Sequence, residues 1–155
     1  MTRDVYAVAA DTSLETAARW LATRHVSGAP VINSAGRPVG VVSLSDLADP
    51  DRPRSESNGY PRYYRLGNGG PQEIGTAFGA DYGADFETGT GCVADVMSPF
   101  VLSISAHSTV VDAAKVMIAD EVHRLLVLDA ERLVGIVSVT DLLRGFVDSN
   151  REGDA

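Results

Sequence analysis

Residues 14–47 read LETAARWLATRHVSGAPVINSAGRPVGVVSLSDL, and residues 110–142 read VVDAAKVMIADEVHRLLVLDAERLVGIVSVTDL. The second stretch restates the first. Ala17-Ala18 aligns with Ala113-Ala114, and Val26 with Val122, at one constant offset. Gly40-Val-Val-Ser43-Leu-Ser-Asp46 then aligns with Gly135-Ile-Val-Ser138-Val-Thr-Asp141 at an offset one residue shorter, so a residue is lost in the turn between. A repeat of this length makes each copy one structural unit, unable to bury its apolar face alone. Two such copies are expected to pack on each other, and a cleft between them is the natural place for a ligand.

The periodicities give each copy the order β-α-β-β-α, a mixed α/β (α+β) unit. A short extended segment comes first, Val5–Ala9 in one copy and Val101–Ser105 in the other. A helix follows, opened by a hydroxyl that can accept from free first-turn N–H groups: Thr12 or Ser13, then Ser108 or Thr109. Leu14, Ala17, Ala18 and Leu21 fall at i, i+3, i+4 and i+7, and Val110, Ala113, Ala114 and Met117 repeat the stripe. That spacing places the four side chains of each copy on one predicted buried face. Two apolar strands come next, Ala29–Ile32 with Val39–Ser43 and Leu125–Leu128 with Leu133–Ser138, turning at Asn33–Gly36 and Asp129–Arg132. A second helix begins near Ser45-Asp46 or Thr140-Asp141. Pro50 stops the first of these early, whereas Leu142–Val147 prolongs the second.

Composition narrows the function classes. No apolar run approaches the ~20 residues of a membrane span, because Asp, Glu or Arg interrupts each one. The first residues, MTRDVYAVAADTS, lack the apolar stretch of a secretory signal. Cys92 is the only cysteine, so no intramolecular disulfide forms, which points to a reducing, cytoplasmic setting. The net charge is −8. Residues 1–48 balance four basic against four acidic groups, and the acidic excess lies in residues 49–155. A phosphate backbone needs a basic surface, so nucleic acid is not an expected partner. His25, His107 and His123 are isolated and the one cysteine has no ligand-type spacing, so no metal is expected. No nucleophile elbow or paired-carboxylate arrangement marks an enzyme, and Trp20 reads as packing beside the helix stripe.

The paired order, with these residues, resembles the cystathionine-β-synthase (CBS) domain, and the tandem pair resembles a Bateman module. The resemblance rests on Asp95-Val-Met-Ser-Pro99 leading into the second copy, Val26-Ser-Gly-Ala-Pro-Val31, Val122-His-Arg-Leu-Leu-Val-Leu-Asp129, and the two Gly-h-V-S-x-[ST]-D-L endings. It implies two copies packed with pseudo-twofold symmetry. Residues 1–48 form the first, residues 92–148 the second, residues 49–91 an insertion and residues 149–155 a polar tail. Met1-Thr2 aligns with Met97-Ser98, so the chain starts inside the family's lead-in motif. The chain is then either the whole protein or a regulatory fragment of a larger enzyme or transporter.

The chemistry concentrates in the two endings. Gly40 and Gly135 leave room for a ligand or a neighbouring backbone to approach. Ser43 or Ser138 ends a strand, and three residues later Asp46 or Asp141 enters the first turn of a helix. A carboxylate there can accept from both hydroxyls of a ribose, the serine can donate to phosphate or ribose, and the helix N-terminus suits an anion. Helix capping by Ser45-Asp46 and Thr140-Asp141 is the other reading. His123-Arg124 precedes an apolar strand at the edge of the presumed cleft, and a guanidinium fork suits phosphate. A surface arginine paired with Glu121 or Asp120 is the alternative. The pair resembles the His-Arg that contacts nucleotide phosphates in the gamma subunit of AMP-activated protein kinase. The first copy has Ser27-Gly28 there, so two clefts of unequal affinity are expected. The resemblance adds Thr2 and Ser98 to the ligand contacts. It implies a regulatory module that needs no cofactor and has no catalysis of its own. Such a module binds an adenosine-containing ligand (AMP, ADP, ATP or S-adenosylmethionine), forms a homodimer and signals to a regulated protein. An interaction module with vestigial clefts is the competing expectation.

Residues 49–91 hold nine of the 15 glycines, which suits a flexible linker, but also six aromatics, which does not. An ordered excursion is expected, covering a face of the module or reaching a second subunit.

Overall fold

A computed structural model describes residues 1–49, 61–65 and 90–152. Most of the insertion lies outside the described residues. The chain divides into two compact units. One is built on the first repeat together with residues up to Val101, and the other on the second repeat together with Met1–Val5.

In the first-repeat unit, β1 (Val8–Ala9) runs parallel to β2 (Gly28–Ile32), which pairs antiparallel with β3 (Pro38–Ser43). The helix α1 (Leu14–Thr23) is capped by Ser13, whose Oγ accepts from the Thr16 N–H at 3.2 Å. Leu14, Ala17, Ala18 and Leu21 are buried, as the stripe predicts. They join Val31, Val42, Leu44 and Leu47 in one core cluster. The short helix α2 (Leu44–Ala48) follows β3 without a break. Trp20 packs edge-on against Tyr6, with ring centroids 5.9 Å apart, and the Arg24 guanidinium lies 4.3 Å from the Trp20 centroid. A later helix of one turn, α4 (Val93–Val96), belongs to the same unit, and its Val93 and Val96 complete the cluster. Between them in sequence lies another single turn, α3 (Arg62–Arg65).

The second-repeat unit repeats the plan: β4 (Ser103–Ser105), α5 (Val110–Ala119), β5 (Arg124–Asp129), β6 (Arg132–Ser138) and α6 (Val139–Glu152). The sheet order is β4-β5-β6, parallel then antiparallel, as in β1-β2-β3. Thr109 is the α5 cap and exchanges bonds with Asp112, whose carboxylate these bonds hold below its ordinary pKa, the Thr109 hydroxyl contributing most. One expectation fails here. Ala113 and Met117 are buried, but Val110 is 58% exposed and Ala114 only half-buried.

The residue missing from the second turn is absorbed by the backbone. In the first turn Gly36 takes φ 75° and the Asn33 side chain accepts from the Ala35 and Arg37 N–H groups. In the second, Ala130 and Glu131 both adopt positive φ, 44° and 67°, and close the hairpin between paired Asp129 and Arg132. Both first helices likewise end in the left-handed region without glycine, at His25 (φ 53°) and Glu121 (φ 52°). His25 is exposed, and its N–H donates to the Ala22 carbonyl at 3.0 Å. Its backbone bond, not its imidazole, ends α1. His25→Gly should therefore raise stability by up to about 1 kcal/mol, because glycine takes this conformation without steric cost. Unchanged or lowered midpoints in urea titration would refute that account.

Candidate functional site

Each unit carries its hydroxyl and carboxylate where a strand runs into a helix. In the first-repeat unit, Ser43 ends β3 and is 2% exposed. The Asp46 Oδ2 accepts from the Ser43 N–H at 2.7 Å and from its Oγ at 2.6 Å. Ser43 Oγ also lies 2.8 Å from Ser45 Oγ. In the second-repeat unit, Asp141 Oδ2 accepts from the Ser138 N–H and Oγ, each at 2.9 Å. Ser138 Oγ in turn accepts from the Asp141 N–H at 3.2 Å. The helix cap is thus the strand-ending serine, not Ser45 or Thr140. The aspartate reaches back to it from the first turn, in the reciprocal arrangement of a capping box. Capping uses one carboxylate oxygen only. The other oxygen of Asp141, Oδ1, lies 3.9 Å from the Met1 nitrogen.

The structure brings His123 and Arg124 to the same mouth. Arg124 opens β5 and pairs directly with Ser138, while the His123 carbonyl accepts from the Val139 N–H at 3.0 Å. Arg124 is therefore a neighbour of Ser138 across the ladder, although distant in sequence. The equivalent pair in the other unit is Gly28 and Ser43. There a side chain is barred. A Cβ on Gly28 would sit 2.6 Å from the Val42 carbonyl oxygen and 3.0 Å from the Tyr63 ring. The difference between the two mouths is thus steric as well as electrostatic.

The two lead-in segments explain the strand glycines. Ser98 and Val41 exchange backbone bonds at 2.9 and 3.0 Å, and Thr2 and Ile136 do the same at 2.9 and 3.0 Å. A Cβ on Gly40 would stand 2.4 Å from the Ser98 carbonyl oxygen, and one on Gly135 would stand 3.2 Å from that of Thr2. Of the two expected uses of that space, the structure shows neighbouring backbone. Ser98 is buried and Thr2 exposed, each held beside its mouth by main-chain bonds.

The sequence reading missed Tyr63 and Tyr64. Both are buried. The Tyr64 hydroxyl accepts from the Leu102 N–H at 2.9 Å, and its carbonyl accepts from the His123 N–H at 2.8 Å. Tyr64 therefore anchors the residue next to Arg124. Aromatic enrichment in a glycine-rich stretch was the only signal, and it could not say which aromatic is buried or where. Among the described residues no group of His, Cys, Asp and Glu could hold a metal ion.

A sequence model of the CBS domain matches residues 1–50 and 93–148. The chain belongs to the CBS-domain family. CBSX1, a chloroplastic CBS domain-containing protein of Arabidopsis thaliana, is 28% identical over 97% of the chain, which spans 63% of that relative. An uncharacterized protein of Methanocaldococcus jannaschii is 30% identical over 88% of the chain and 83% of its own length. The crystal structure of CBSX2 in complex with AMP superposes with a TM-score of 0.64 at 26% identity, covering 97% of this chain and 94% of that one. The two matched segments are the two repeats, so this CBS pair carries an intervening stretch that the family model leaves unmatched. Among the described residues no helix is long and apolar enough to cross a membrane.

Proposed function

We propose that this CBS pair is a regulatory module that binds an adenine nucleotide at the mouth formed by Arg124, Ser138 and Asp141. In this reading Asp141 holds the ribose, Arg124 and His123 meet phosphate, and Ser138 contributes a hydroxyl. The carrying observation is the ladder pairing of Arg124 with Ser138 beside a carboxylate that caps with one oxygen only. The AMP-bound CBSX2 structure supports the ligand class. The Ser43–Asp46 mouth takes the same ligand more weakly, because Gly28 supplies no charge. Thr2 and Ser98 line the two mouths through their side chains. The module has no catalysis of its own, works in the cytoplasm, and requires no cofactor. A ligand shifts such a module only through unequal affinity for two states, which a partner protein then reads. Calorimetric titration with AMP, ADP, ATP, S-adenosylmethionine and NAD tests the reading. Saturable binding of at least one is expected, and silence with all five overturns it in favour of a ligand-free interaction module.

The module also acts as a symmetric homodimer in this proposal. Val111 and Ile118 on α5 and Leu143, Phe146 and Val147 on α6 are all exposed, Ile118 to 78%. The face of α1 that points away from its core is polar, carrying Glu15 ion-paired with Arg19. Large exposed apolar side chains clustered on one pair of packed helices mark an interaction surface. Light scattering is expected to report a dimer at roughly 100 µM, well above the micromolar constants of specific interfaces. A monomer at that concentration rules the dimer out.

A further inference from the structure

Gly28 opens β2 opposite Ser43, the place that Arg124 takes opposite Ser138 in the other repeat. A ring from the α3 turn stands against that glycine. Tyr63 Cδ2 lies 3.0 Å from the point a Cβ on Gly28 would occupy, and the Ser43 Cα lies 3.2 Å from the same point. The ring and the serine backbone therefore flank one spot. It is the spot into which an Arg124 counterpart would project its first side-chain carbon. Tyr63 belongs to the first-repeat unit, so this contact lies within one compact body.

Burial shows how firmly the ring is seated. Tyr63 is 3% exposed, and Pro61, one residue before the turn, is buried too. Ser43 and Ser45 are themselves 2% and 9% exposed, whereas their counterparts Ser138 and Thr140 are half-buried. The polar geometry of the two endings is otherwise the same. Each aspartate accepts from the N–H and the Oγ of its strand-ending serine. The two mouths thus carry the same chemistry and differ in access.

We propose that Tyr63 is a specificity-determining residue of the pair. Its ring fills the first mouth and leaves the Arg124–Ser138–Asp141 mouth as the main adenine-nucleotide site. A ligand that reaches Ser43 must first move an aromatic ring off Gly28 and into water, which opposes binding. Its apparent affinity falls by the fraction of molecules in which the ring is away. This inference rests on the nucleotide reading above and adds a steric cause to the weaker affinity of the first mouth, beside the missing charge.

The test titrates adenosine into the full chain and follows amide NMR shifts at residues 40–46 and 135–141. Adenosine is the probe because it needs no arginine. In the parent, saturation at residues 135–141 is expected well before any at residues 40–46. Tyr63→Ala should tighten binding at residues 40–46 at least about tenfold. Tyr63→Val also removes the ring while keeping an apolar side chain, and it carries the same test if the alanine variant does not fold. A residue with only a structural role would weaken binding on removal and would not tighten it at one mouth. An unchanged or weakened response at residues 40–46 overturns the proposal, and so does a parent that saturates both segments together. Silence at residues 135–141 in every protein counts against the nucleotide reading of that mouth, and residues 40–46 still decide the role of Tyr63.

Discussion

Tyr64→Ala is expected to lower stability by about 3–5 kcal/mol, the range for removing a buried aromatic ring. Tyr64 is fully buried at 0% exposure and lies among the largest buried side chains. Its loss opens a cavity and also strands the Leu102 N–H, which the phenol oxygen accepts at 2.9 Å. A domain stabilised by only about 5–15 kcal/mol loses a large share of its margin, so the melting midpoint should drop by more than about 6 °C. Tyr64→Phe separates the two contributions. It keeps the ring and removes the acceptor, at about 1–3 kcal/mol for the unpaired N–H. The result also reaches the proposed site, because the Tyr64 carbonyl holds the His123 N–H at 2.8 Å. Thermal unfolding of both variants decides the matter. An alanine variant within about 1 kcal/mol of the parent would mean that α3 is not part of the core.

Asp141 and Arg124 should fail in different ways. Asp141→Ala removes the ribose acceptor and is expected to weaken adenosine, AMP and ATP alike, by about 1–3 kcal/mol. Arg124→Ala should spare adenosine, weaken AMP and ATP, and reduce the salt dependence of their binding. Asp46→Ala should matter less for affinity, since Gly28 faces Ser43 where Arg124 faces Ser138. The capping geometry adds a second expectation. Asp141 Oδ2 accepts two bonds from Ser138, so Asp141→Ala also lowers the melting temperature, by the ~1 kcal/mol of a lost cap. Stability alone therefore does not discriminate, and the two must be measured together. Asp141→Asn is informative because it keeps a carbonyl acceptor for the cap while removing the charge. Loss of stability with full nucleotide affinity in the alanine variant would end the ribose assignment.

Much of this protein was legible in its sequence, because the repeat states its own pattern twice. Two copies of an i, i+3, i+4, i+7 stripe followed by two apolar runs determined two β-α-β-β-α units, and the sheets have that order. The Gly-h-V-S-x-[ST]-D ending placed a hydroxyl and a carboxylate three residues apart across a strand–helix junction. Local geometry alone brings those groups together, so spacing sufficed. The ends of α1 and α5 were less legible, since His25 and Glu121 occupy a conformation that sequence rules assign to glycine.

What the tertiary structure decided is long-range. Only the ladder shows that Arg124 faces Ser138, and only the atoms around Gly28 show why the first repeat cannot carry a counterpart. The two lead-in segments pair with β3 and β6 at distances in sequence that periodicity does not see. Val110 reads as a core residue from its place in the stripe, yet it is exposed. A helical period tells which residues share a face, but not whether anything lies against it. For Leu14 the cover is Val93 and Val96, more than seventy residues away in the chain. For Val110 the second-repeat unit supplies no equivalent among its described residues.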